Sequence, residues 1–161
     1  MKLYLKRLLL VCITLAVATG CNNKKEGAST TAAPSGKTVI KKEAVVVVPK
    51  SVQGKWKAVK IAVTDKSTNK DTVYTVTIGT PFKIPNSDLT ITVNNFLPQF
   101  VMEGTTLTSQ SNEPKNPAAQ VRIMEKDQEI FKGWLFALYP TTHAFQHPKY
   151  GFTLVDFVPA N

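Results

Sequence analysis

The chain has 161 residues, 43% of them hydrophobic and 19% charged, with 8 Gly, 10 Pro and 2 Cys. This is the composition of one ordinary domain with appendages, and it excludes wholesale disorder, a disulfide scaffold and a collagen-like repeat. The formal net charge of +9 is unevenly placed: residues 22–50 hold six Lys against two Glu, whereas from Ser51 onward 11 Lys and Arg face 9 Asp and Glu.

The first element is an address. Lys2, Lys6 and Arg7 precede an apolar run from Leu8 to Ala18, followed by Thr19, Gly20 and Cys21. A positive n-region, a short apolar h-region and small residues at its end make residues 1–20 a secretory signal peptide. The run is too short for a spanning helix, which needs about 20 apolar residues. Ala18-Thr19-Gly20-Cys21 resembles the lipobox of bacterial lipoproteins, with Ala18 where Leu is usual. The resemblance implies acylation of Cys21, cleavage before it, and a membrane as partner through that anchor. Asn22 stands where Asp would resemble an inner-membrane retention signal, so the outer membrane is favoured over the inner.

With Cys12 inside the signal peptide and Cys21 acylated, the mature domain has no thiol left. Thiolate metal sites, covalent haem attachment and a cysteine nucleophile are thereby excluded.

Residues 21–50 read as the anchor and a flexible tether rich in Lys, Ser, Thr and Ala. Lysines there, beside acyl chains, would favour anionic headgroups by up to about 1 kcal/mol each. Within this stretch Ala44 to Val48 is apolar and β-branched and ends at Pro49. It is read as a short edge strand of the domain, with an exposed docking segment as the alternative.

From residue 51 to 161 the pattern is period two, the strand signature. Trp56 to Thr64 puts Val59, Ile61 and Val63 on one face, and residues 65–70 supply a polar turn. Tyr74, Val76 and Ile78 then align as a hairpin partner would, and Leu89, Ile91 and Val93 form a third strand. Phe96 to Met102 is apolar but broken by Pro98, which predicts a bulge or a new edge strand. Thr108 to Ala118 is a polar loop with two prolines; Ala119 to Met124 and Glu129 to Leu138 form a second hairpin; Tyr150 to Val158 closes the chain. Gly133 predicts a bulge or a close approach beside Trp134. The expected fold is all-β: a single small sandwich or partly open barrel of about seven short antiparallel strands.

Candidate chemistry is thin. His143 and His147 are four apart, so on a helical turn both imidazoles would share one face and could hold a metal. Pro148 biases His147 away from helix, and no third ligand is near in sequence; Asp156 could reach only through the fold. The two are read as loop histidines bonded to backbone, with a metal or small-ligand carrier as the alternative. The serines of the domain sit in apparent turns without a nucleophile elbow, the carboxylates in solvated contexts, and no phosphate-cradling glycine loop is present. No enzyme activity and no cofactor are expected. Aromatic residues crowd the last part of the chain, and most should be core. Those able to line a groove, together with the histidines, make Trp134, Phe136, Tyr139, His143, His147 and Tyr150 the candidate binding residues.

The block Phe131-Lys132-Gly133-Trp134-Leu135-Phe136-Ala137, then Pro140, then His147-Pro148 and Tyr150, resembles a small secreted bacterial family of unknown function, number 2155. The resemblance spans about Lys57 to Val158. It implies an exported β domain without an assigned activity. Family members often carry two cysteines that this sequence lacks, so it brings no disulfide. Together these readings predict a lipid-anchored, periplasm-facing module of a Gram-negative envelope that binds a protein partner and does not bind nucleic acid.

Overall fold

In the computed structural model, residues 44–142 and 144–161 are described. The expected signal peptide, Cys21, the tether as far as residue 43, and His143 lie outside them. Ten strands follow in order: β1 (Val45–Val46), β2 (Trp56–Asp65), β3 (Lys70–Thr77), β4 (Phe82–Lys83), β5 (Leu89–Leu97), β6 (Phe100–Glu103), β7 (Thr106–Ser109), β8 (Ala118–Glu125), β9 (Gln128–Phe136) and β10 (Tyr150–Pro159). Among the described residues there is no helix.

The strands form three sheets, ordered β10-β2-β3, β4-β5-β8-β9 and β1-β7-β6, and none closes into a barrel. The period-two residues explain the pairing of the first two. Val59, Ile61 and Val63 of β2, with Val76, Phe152 and Leu154, join Leu89, Ile91, Val93, Val121, Ile123 and Leu135 in one buried cluster. Several of these are fully buried, as expected when apolar faces of two sheets close on each other. Trp56 plugs one end, edge-on to Phe96 and Phe157 at 5.1 and 5.2 Å, while its indole N–H donates to Asn112 Oδ1 at 2.7 Å.

The architecture is the expected all-β sandwich type, but ten strands replace about seven. The strands with no counterpart in the sequence pattern, β4 and β7, are two and four residues long, whereas β1 and β6 fall in the Ala44–Val48 and Phe96–Met102 segments where an edge strand is expected. A strand of that length carries too few alternations to announce itself. One pairing is also parallel instead of antiparallel: Val45 lies opposite Thr106 and Val46 opposite Leu107. The Ala44 to Val48 segment therefore supplies an edge strand, and the third sheet reaches back into residues assigned by composition to the tether.

Pro98 works as its chemistry dictates. It cannot donate to a ladder, so β5 stops at Leu97, and the chain leaves the second sheet to begin β6 at Phe100 in the third. The polar stretch after β7 is held by side chains: the Ser109 hydroxyl, almost fully buried, accepts the Gln99 N–H at 2.9 Å and donates to the Ser111 carbonyl at 2.8 Å. Asn116 Nδ2 donates to the Phe100 carbonyl at 2.9 Å, fixing the start of β6.

Candidate functional site

Strand β9 is an edge: it pairs with β8 alone. Leu135 points into the core, so strand alternation turns Lys132, Trp134 and Phe136 to the opposite face. There β6 meets them. The Phe100 ring stands edge-on to both Trp134 and Phe136, with centroids 5.1 Å away in each case. Met102 shares the face of Phe100 and lies opposite Leu107. Together these side chains line a half-open, largely apolar groove of about 420 Å³, with Lys132 and Thr142 also on its wall. That volume is within the usual range for a ligand or peptide site. Met102 is 63% exposed at its mouth.

The second cluster surrounds His147, which is 6% exposed. Its Nδ1 accepts the backbone N–H groups of Lys149 at 3.2 Å and Tyr150 at 3.1 Å, so the ring proton resides on Nε2. Nε2 lies 3.9 Å from Glu125 Oε1, too far for a hydrogen bond. The ring stacks on Tyr150 at 5.4 Å and leans on Phe145 at 5.8 Å. Burial holds the imidazole pKa below its ordinary value; the Glu125 carboxylate opposes this, and the cations of Lys66 and Lys149 reinforce it. The result is a neutral histidine that ties down the turn entering β10.

This geometry does not favour a metal at His147, since one nitrogen is occupied and the other bears the proton. Among the described residues no group of three His, Cys, Asp or Glu is placed to hold an ion. Asp156, the distant third ligand envisaged from sequence, is engaged instead by Lys60 Nζ at 2.7 Å. That contact holds its carboxyl below the usual range, with help from the Phe157 N–H.

The six candidate binding residues thus separate. Trp134 and Phe136 share the groove. His147 and Tyr150 share the second cluster, where Tyr150 also borders a small polar cleft of about 180 Å³ beside Asp65, Lys70 and Tyr74. Tyr139 is exposed in the loop after β9, and His143 lies outside the described residues. The two clusters meet at Phe131, which lines the groove and stacks on Phe145 at 4.8 Å. Sequence reasoning missed Phe100, Met102 and Lys132 as site residues. The alternation of Phe100 and Met102 just after Pro98 was visible, but their position over β9 is tertiary information.

Gly133 proves to be a place of close approach. The bulge falls elsewhere on β9, where the pairing shifts between Phe131 and Glu129. What comes close is the Phe131 ring: a Cβ on residue 133 would sit 2.5 Å from Phe131 Cζ.

Fold and site together define a class: a sandwich-like, all-β domain with an aromatic groove laid beside an edge strand. The chain belongs to the family described as "Uncharacterized protein conserved in bacteria (DUF2155)", whose model matches residues 59–156. The match covers more than half of the chain and takes in the whole groove. No curated protein and no solved structure matches the chain.

Proposed function

We propose that this protein is a lipid-anchored accessory or scaffolding module of the bacterial cell envelope, non-catalytic, which holds a protein partner in the groove between β6 and β9. The observation that carries the reading is the Phe100, Trp134 and Phe136 triad, three aromatic side chains gathered on a sheet face outside the core. Aromatic residues dominate the binding energy of interfaces because they bury large rigid surfaces at small entropic cost. The anchoring part rests on the sequence from Lys2 to Cys21. Acyl chains on Cys21 would hold the domain at the periplasmic side of a membrane, the outer one by preference, and two or more chains are what stable anchoring requires.

The reading is tested in two parts. Metabolic labelling with an alkyne fatty acid should mark the wild-type chain and not Cys21→Ser, which should also leave the membrane fraction. In the same cells, Phe100→Ala with Trp134→Ala should abolish co-purification of a specific envelope protein with the detergent-extracted chain while leaving the acyl label intact. An unlabelled wild-type chain contradicts the anchor, and co-purification indifferent to the groove contradicts the binding site.

A further inference from the structure

On the outer face of the second sheet, Arg122 of β8 lies directly opposite Lys132 of β9, and both are exposed. Like charges at opposed sheet positions are destabilising. Among the described residues neither is in an ion pair; Glu129, two pairs further along and opposite Met124, does not neutralise them. A lysine on an edge strand guards against unwanted strand pairing, which would account for Lys132. It does not account for Arg122, which sits on β8, an interior strand of the sheet. Every second pair shares this face: two positions along these strands is Gln120 with Trp134, and two further is Ala118 with Phe136. An uncompensated cationic pair therefore adjoins the aromatic groove.

We propose that the groove takes an extended segment of the partner protein carrying an Asp or Glu two residues away from a bulky apolar side chain. This rests on the function proposed above and gives that partner its chemistry. A strand laid along β9 has its same-face side chains two residues apart, matching the spacing from Lys132 to Trp134. Its carboxylate meets Arg122 and Lys132, and its apolar side chain enters among Trp134, Phe136 and Phe100. Strand β9 pairs only with β8, and among the described residues its other edge has no main-chain hydrogen-bond partner, so it offers donors and acceptors that another polypeptide can use by strand addition. This favours a peptide over an anionic lipid, which would satisfy the charges and the apolar surface but not the edge.

The test is selection of a random ten-residue peptide library on the full chain in mild detergent, in parallel with R122E/K132E and the neutral R122Q/K132Q. The wild type should enrich Asp or Glu about tenfold over Lys or Arg at two residues from an aromatic or large aliphatic position. R122E/K132E should reverse the charge preference and keep the apolar one; R122Q/K132Q should lose the charge preference alone. Near-ultraviolet circular dichroism of both variants confirms that the aromatic packing is kept. Apolar enrichment that ignores the charge at 122 and 132 would overturn this inference and leave the groove as a binding site. No groove-dependent enrichment would overturn both. Charge-dependent binding to phosphatidylglycerol vesicles in place of peptides would overturn the peptide assignment.

Discussion

Phe131 lies across Gly133, so that any Cβ at position 133 would collide with the ring at 2.5 Å. The ring cannot simply swing aside, because Phe145 stacks on it at 4.8 Å and is itself packed on Phe152 at 5.8 Å. Gly133→Ala should therefore destabilise the fold by about 1–3 kcal/mol, the cost of overpacking a filled site. Chemical denaturation measures it. In the double variant Phe131→Leu/Gly133→Ala the alanine should cost clearly less, because the offending ring is gone.

Phe100 touches two rings of the groove and none of the buried cluster. Each edge-on aromatic pair contributes about 0.5–1.5 kcal/mol beyond burial. Phe100→Leu should thus lower stability by about 1–2 kcal/mol while leaving the backbone amide spectrum of β2 and β10 unshifted, as nitrogen–proton correlation spectra would record.

The pH dependence follows from His147. Its folded-state pKa lies below the ordinary 6.5, with burial as the main cause. The unfolded chain therefore binds the proton more readily, so stability is complete above about 6.5 and falls as the pH drops through the window beneath it. The Asp65, Glu113 and Asp156 carboxyls are also held low, but they lose their contribution only below the ordinary carboxylate values of 3.8 and 4.5. Between pH 6.5 and 5 the slope of melting temperature should accordingly be reduced in His147→Asn, whose side-chain oxygen still accepts the two backbone N–H groups.

Metal addition is predicted to be silent at this residue. A ligand bound only by the folded state raises its melting temperature, but His147 Nδ1 is already taken by the Lys149 and Tyr150 amides. Zn²⁺ or Ni²⁺ should produce no rise in melting temperature that His147→Ala removes.

The long strands were legible because each carries several alternations: Val59, Ile61 and Val63, or Leu89, Ile91 and Val93, announce a buried face by themselves. The family block was legible for a different reason, as a local pattern around Gly133 and Trp134. The groove was only half legible. Trp134 and Phe136 stand out in sequence, but Phe100 reaches them across a fold contact between β6 and β9, and two- to four-residue strands give no periodic signal. The histidine spacing pointed two ways; burial and two backbone amides determine what His147 does, and neither can be read from a spacing.

The central claim, a partner seated in the groove, is met most directly by photo-crosslinking in living cells from two exposed apolar positions. Met102 is 63% exposed at the groove, and Val155 is 46% exposed on β10 in a different sheet. With a photoreactive amino acid at each position in turn, position 102 should yield one discrete envelope-protein adduct, abolished by adding Trp134→Ala, while position 155 yields none. Equal adducts from both positions, or an adduct from 102 that survives the loss of Trp134, would contradict the account.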